Sequence, residues 1–253
     1  MHTDDIPDFE VSLAPASARE RRMSRLRRNV WVAGRLHSLS DGCTGWLVTL
    51  TYRDPDSWQP RHVSEAIRRF RYWARRSGVR VRYLWVAEIQ AARARRTGHH
   101  VLHYHLFLLL PPGVSMPYWD RPVGRALPFW PHGLTKVERV RDNGRMSAYL
   151  MKYLSKGDDE ARFPPGCRVF GVGGLGDLAC VRSWFNLPGW LRGAVACGRW
   201  RRFRGGFVEA DSGEVQQNPF ARVVTRAAIL FYRRFAPPEP VACGPWSHFI
   251  AYG

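Results

Sequence analysis

The stretch Val101-Leu-His-Tyr-His-Leu-Phe-Leu-Leu-Leu110 decides how this chain is read. It is almost wholly apolar, closes at Pro111-Pro112, is far too short to span a bilayer, and fits a buried β-strand. Alternate side chains of a strand share a face, so His103 and His105 point one way while Leu102, Tyr104 and Leu106 pack on the other. A lone core histidine is common. Two on one face of an apolar strand have no packing rationale, and as neighbours on a rigid scaffold they can chelate one ion.

The flanking segments supply the sheet around that strand. Gly45-Trp-Leu-Val-Thr-Leu-Thr-Tyr52 alternates and is β-rich, Val79 to Ile89 reads as a second strand, and Thr135 to Val140 as a short one. His62 to Ser77 predicts a helix, with Val63, Ala66, Ile67, Phe70, Trp73 and Ala74 in one apolar stripe and Gly78 as its stop. Pro111 to Leu134 is Pro- and Trp-rich and loop-like. Strand, helix, strand, strand, strand, helix implies an α+β fold with a mainly antiparallel sheet. Within it, Glu88 shares a face with Arg82, Leu84 and Val86 beside the histidine strand. It reads either as a third metal ligand or as a salt-bridged strand-end residue. Two imidazoles, a carboxylate and open water positions suit Mg²⁺ or Mn²⁺ as a Lewis acid. His99 and His100 belong to a loop, and His132 has no assignment.

Tyr149-Leu-Met-Lys-Tyr-Leu-Ser-Lys156 repeats Tyr-x-x-Lys twice within a helix expected over Arg145 to Lys156, after an Asp142-Asn-Gly turn. Helical spacing puts Tyr149, Lys152, Tyr153 and Lys156 on one face. Tyrosine, with a pKa of about 10, is a weak nucleophile at neutral pH, and a neighbouring ammonium favours both the phenolate and an approaching phosphate. The plainer alternative is an amphipathic helix with half-buried tyrosines and snorkelling lysines. With a metal-polarised phosphate, the arrangement predicts in-line attack by a phenolate, departure of a 3′-hydroxyl and a phosphotyrosine that keeps the bond energy for rejoining.

Composition points to the same partner. The chain has 253 residues, with 39 Lys and Arg against 21 Asp and Glu, a formal net charge of +18 and a pI near 10.7. That excess favours a polyanion, because neutralising phosphates releases counterions. Arginines interleaved with 11 Trp, 9 Tyr and 13 Phe suit single-stranded nucleic acid, although most such aromatics are core residues. The expected DNA contacts are Arg93, Arg95 and Arg96 in the loop before the histidine strand, and Arg199, Arg201 and Arg202 in Arg199-Trp-Arg-Arg-Phe-Arg204. The latter stretch reads equally as a solvated edge. Five scattered cysteines form no C-x-x-C pair and predict free thiols. No signal peptide or apolar span is read, so a cytoplasmic location away from membranes is expected. Three segments are expected: a flexible basic arm over 1–41, whose Arg19 to Arg28 carries six arginines and reads as a basic arm or a short helix, a catalytic domain over 42–187, and an Arg/Trp-rich extension over 188–253 with a hairpin near Phe207 to Val215.

Taken together these motifs resemble those of the HUH endonucleases, and among them the rolling-circle replication initiators of filamentous phages and small plasmids. Trp46-Leu-Val-Thr-Leu-Thr51 resembles their first motif, and His103-Tyr-His105 the H-hydrophobic-H motif. Glu88 in Trp85-Val-Ala-Glu-Ile-Gln90 is similar to the preceding acidic residue, and Tyr149 to Lys156 to the two-tyrosine motif. The resemblance covers roughly residues 42–160. It implies a five-stranded antiparallel sheet carrying the metal site with the tyrosine helix facing it, and strand-specific nicking of origin DNA through a 5′-phosphotyrosine. It further implies a 3′-hydroxyl that primes a host polymerase. Relaxases and transposases of the same superfamily, and a non-catalytic single-strand-binding protein, are the rival readings.

No G-x-x-x-x-G-K-[ST] occurs, so no nucleotide cofactor is expected and unwinding would fall to a host helicase. Gly171-Val-Gly-Gly-Leu-Gly176 matches G-x-G-x-x-G only formally and is read as a glycine-rich loop.

Overall fold

A computed structural model describes residues 9–10, 18–38, 42–90, 96, 98, 102–155, 163–224 and 229–233. In chain order the elements are β1 (Phe9–Glu10), α1 (Ala18–Ser38), β2 (Thr44–Tyr52), α2 (His62–Arg76), β3 (Arg82–Ile89), β4 (Leu102–Leu110), β5 (Gly133–Val140), α3 (Met146–Ser155), β6 (Phe170–Gly173), α4 (Leu178–Phe185) and α5 (Gly189–Arg192). Five further strands follow: β7 (Trp200–Phe203), β8 (Gly206–Glu209), β9 (Val215–Gln217), β10 (Phe220–Val224) and β11 (Ile229–Arg233). Two compact units result, one of residues 26–176 and one of 1–25 with 177–253.

The larger unit is built on a five-stranded antiparallel sheet in the order β5-β2-β4-β3-β6. Strand β4 is central and buried along its whole length, which is why its sequence is apolar on both faces. Leu102, Tyr104, Leu106, Leu108 and Leu110 form one core with Val63, Ala66, Ile67 and Phe70 of α2. Helix α2 stops where the Ser77 N–H bonds to the Trp73 and Ala74 carbonyls and Gly78 takes a φ of 66°. The 111–134 segment is irregular, as its composition predicts, yet it lays Trp119, Phe129 and Trp130 into this core. The polar tips of the two core tyrosines are engaged: Trp58 Nε1–H donates to the Tyr104 hydroxyl at 2.9 Å, and the Tyr52 hydroxyl lies 3.3 Å from His62 Nδ1.

Two expectations are corrected here. The N-terminal segment is not a flexible arm up to residue 41: the short helix that is one reading of Arg19 to Arg28 runs from Ala18 to Ser38, and Leu26, Val30, Ala33 and His37 are buried at four-, three- and four-residue steps. His37 Nε2 also reaches the Tyr83 carbonyl of β3 at 3.2 Å. The density of arginines between those positions hides the period. The glycine-rich stretch is not simply a loop: it begins as edge strand β6, with Gly171 opposite Trp85 and Gly173 opposite Tyr83. A Cβ at either glycine would strike the facing aromatic ring, so the glycines are there to let those rings lie across the sheet edge.

In the second unit, β1-β11-β10 and β7-β8-β9 form three-stranded antiparallel sheets, and Trp184, Leu187, Leu191 and Val195 form a small core. The expected hairpin is present as β8 and β9. Its turn closes on Glu209, whose carboxylate accepts from the backbone N–H groups of Ser212, Arg199 and Asp211 and is thereby held down to about 2. Among the described residues Cys43, Cys167, Cys180 and Cys197 are free thiols, and no helix is long and apolar enough to cross a membrane.

Candidate active site

The register of the central strands assembles the histidine face. Glu88 pairs with His103 across β3 and β4, and Thr49 with His105 across β2 and β4. All four side chains therefore stand on the sheet face turned away from α2, and Glu88, His103 and His105 are buried there. The Glu88 carboxylate reaches diagonally rather than straight across, and its Oε2 lies 2.6 Å from His105 Nε2. Burial of a carboxylate is costly unless it is hydrogen-bonded, and this contact meets that requirement.

The outer nitrogens are oriented by neighbours. Thr49 Oγ1 sits 3.2 Å from His105 Nδ1, and Gln90 Nε2 sits 3.2 Å from His103 Nδ1. Such contacts fix ring orientation and tautomer in metal-binding histidines. Sequence reasoning passed over both residues. The signal was available, because Gln90 follows Glu88 by two along the chain and Thr49 alternates with the apolar positions of β2.

Among the described residues, no group of three or more His, Cys, Asp or Glu side chains is drawn together tightly enough to hold a metal ion. In the Glu88–His105 hydrogen bond the Nε2–H donates to Oε2, so the ring nitrogen that would ligate carries the proton. The donor chemistry nonetheless fits a divalent cation: one carboxylate and two imidazoles on one rigid face, each imidazole steadied at Nδ1. Ligation through Nε2 needs a proton on Nδ1. The Thr49 hydroxyl can accept it directly, and Gln90 can do so by presenting its amide oxygen, an orientation equivalent in shape.

Helix α3 lies over this face. The Tyr153 ring stacks on His105, with centroids 3.5 Å apart and planes 15° off parallel. Its hydroxyl donates to the Tyr149 hydroxyl oxygen at 2.7 Å, and the two tyrosine rings meet edge to face at 5.2 Å. Burial, followed by the bond to Tyr149, pushes the Tyr153 phenol well above the ordinary tyrosine range, so it stays protonated. Tyr149 is 39% exposed and forms the open end of the pair. The helix start is tied down by Asn143, whose Nδ2 donates to the Cys43 carbonyl at 2.8 Å beside Gly45, a position where a Cβ would collide with the Asn143 amide.

The structure thus brings together Glu88, His103, His105, Tyr149 and Tyr153. Lys152 is exposed on the same helix. Lys156, Arg93 and Arg95 lie outside the described residues, and Arg96 is exposed. In the other unit Arg201 and Arg202 are exposed on β7, whereas Arg199 is engaged twice by the Asp211 carboxylate, which gives it a structural partner. His132 now has a place as well. It stacks on His62 at 3.6 Å on the α2 face, beside Tyr52 and Trp130, and burial lowers the pKa of both histidines.

Residues 45–158 match the model of a family described as replication-associated protein ORF2. The matched segment runs from β2 through the tyrosine helix and contains every member of the cluster above. It links this part of the chain to DNA replication. No curated protein and no solved structure matches the chain.

Proposed function

We propose that this protein initiates rolling-circle replication by nicking single-stranded origin DNA and rejoining it through a 5′-phosphotyrosine on Tyr149. The observation that carries the reading is the continuous contact from His105 through the Tyr153 ring to the Tyr149 hydroxyl. It joins the two constellations that separately suggest a metal site and a nucleophile.

In the proposed step the Tyr149 oxygen attacks phosphorus in line and the bond to the 3′-oxygen breaks. The phenolic proton lost by Tyr149 is balanced by the one gained on the leaving 3′-hydroxyl, so one phosphodiester replaces another and the step reverses on rejoining. Glu88, His103 and His105 would hold Mg²⁺ or Mn²⁺, which supplies Lewis-acid polarisation of the scissile phosphate. Lys152, one turn from Tyr149, offsets the phosphate charge, and Lys156 extends that cationic edge in sequence. Tyr153 donates its proton as a hydrogen bond to the developing Tyr149 phenolate. Its raised pKa and ring stack suit that supporting role better than a first attack. Host helicase and polymerase would supply unwinding and synthesis.

Labelled single-stranded DNA tiled across the replicon that carries the gene, incubated with the protein and Mn²⁺, should give a covalent adduct on a denaturing gel. Tyr149→Phe should remove it. Binding of the DNA with no adduct from any tile would identify a single-strand-binding protein instead.

A further inference from the structure

A cluster of arginines in the larger unit lies away from the tyrosines, on the α2 side of the sheet. Helix α2 and the 123–129 segment border an open groove of about 1380 Å³ whose lining, among the described residues, includes seven arginines and no carboxylate. Arg68, Arg71, Arg75 and Arg76 project from α2, with Arg80 following it and Arg125 on the other wall, all of them exposed. Arg69 is the exception: it is half-buried and lies 3.8 Å from Glu65.

The placement is unfavourable for an isolated helix. Arg68 and Arg71 are three residues apart and Arg71 and Arg75 four apart, so like charges face each other along the surface. The last-turn arginines gain from the helix dipole, but Arg68 and Arg71 do not. Apolar groups are exposed among these charges. Tyr72 is 53% exposed, with Arg75 and Arg76 guanidiniums 5.7 and 5.8 Å from its ring centre, and Leu127 is 69% exposed. Guanidiniums spaced around a flat exposed ring are what a polyanion with unpaired bases requires: forks for the phosphates and a platform for stacking. A duplex offers no free base face to Tyr72.

Accordingly, we propose that the α2 groove is a second single-stranded DNA site, for a stretch of strand other than the one held at Tyr149. This rests on the nicking function proposed above, but the two can fail separately. His103 and His105 face away from α2, so one strand segment at the tyrosines leaves the groove unfilled, and a second segment can bind at the same time.

The test uses the full chain and fluorescence anisotropy with labelled oligothymidylate, which lacks any origin sequence, over a range of salt. Replacing Arg71, Arg75 and Arg80 together by Gln should lower the slope of log affinity against log salt by about 2, from roughly 0.7 per phosphate contact on single strands. Tyr72→Ala should weaken binding by about 5- to 150-fold, the equivalent of one lost base stack. Arg→Lys at the same three positions should restore the salt slope, which guards against misfolding as the cause. Nicking of an origin oligonucleotide at saturating DNA should keep its rate in all these variants. Unchanged affinity and slope in both the Gln and Ala variants would overturn the groove, even with nicking intact. Loss of binding in those variants alongside a protein that never forms an adduct would retain the groove and remove the nicking function. Equal loss for a duplex competitor and for oligothymidylate would reject the single-strand assignment.

Discussion

Replacing Tyr153 by Phe tests how the two tyrosines divide the work. The substitution removes one hydroxyl, and with it the 2.7 Å bond to Tyr149, while leaving the ring that stacks on His105 at 3.5 Å. A neutral hydrogen bond contributes about 1 kcal/mol, and one to a charged oxygen about 1.5–3 kcal/mol. Only the difference accelerates the reaction, because the Tyr149 oxygen gains negative charge as the transition state forms. That difference is about 0.5–2 kcal/mol, so adduct formation should slow by about 2- to 30-fold. The assay is single-turnover adduct formation on labelled origin DNA with Mn²⁺, followed by mapping of the modified peptide. Adduct should remain on Tyr149 in the variant. A loss beyond about a thousand-fold, or an adduct mapped to Tyr153 in the unmodified protein, would refute the assignment of Tyr149 as first nucleophile. A rate within the error of the unmodified protein would show that the hydroxyl pair is not used in the step.

Two further outcomes bear on the scaffold. Burial lowers the pKa of both His62 and His132, with Arg69 adding to the effect and Glu65 opposing it. The unfolded chain therefore binds more protons, and this contribution is present above about pH 6.5 and lost as pH falls through the folded values. The melting temperature should drop between pH 7 and pH 5, and His132→Phe, which keeps a flat ring on His62, should flatten that drop; an equal slope in the variant would dismiss the pair as its source. Gly171→Ala should destabilise by about 1–3 kcal/mol in a denaturant titration, since its methyl group would enter the Trp85 ring, and a gain in stability would mean that β6 shifts freely.

What could be read in the sequence follows from how local each signal is. The five antiparallel strands hinge on β4, whose period-2 histidines within an apolar run identify both its faces, and the observed register places Glu88 beside them as that period implies. The tyrosine pair was equally legible, because four-residue spacing on a helix fixes a shared face whatever lies opposite. Helix α1 was legible only as a short stretch over Arg19 to Arg28 beside the alternative of a basic arm, since arginines at the intervening positions lower its mean apolarity while Leu26, Val30 and Ala33 still carry the burial. Edge strand β6 was hidden for a different reason: its glycines carry no pattern of their own and make sense only beneath Trp85 and Tyr83, which are far away in sequence. Two details of the candidate site are also non-local. That Glu88 reaches His105, diagonal to its register partner His103, depends on how β3 and β4 pair, and that Tyr153 stacks on His105 depends on how α3 lies over them. Those two contacts bear most on the chemistry. They make Tyr153 the link between the buried histidine face and the exposed Tyr149, whereas helical spacing treats the two phenols as equivalent.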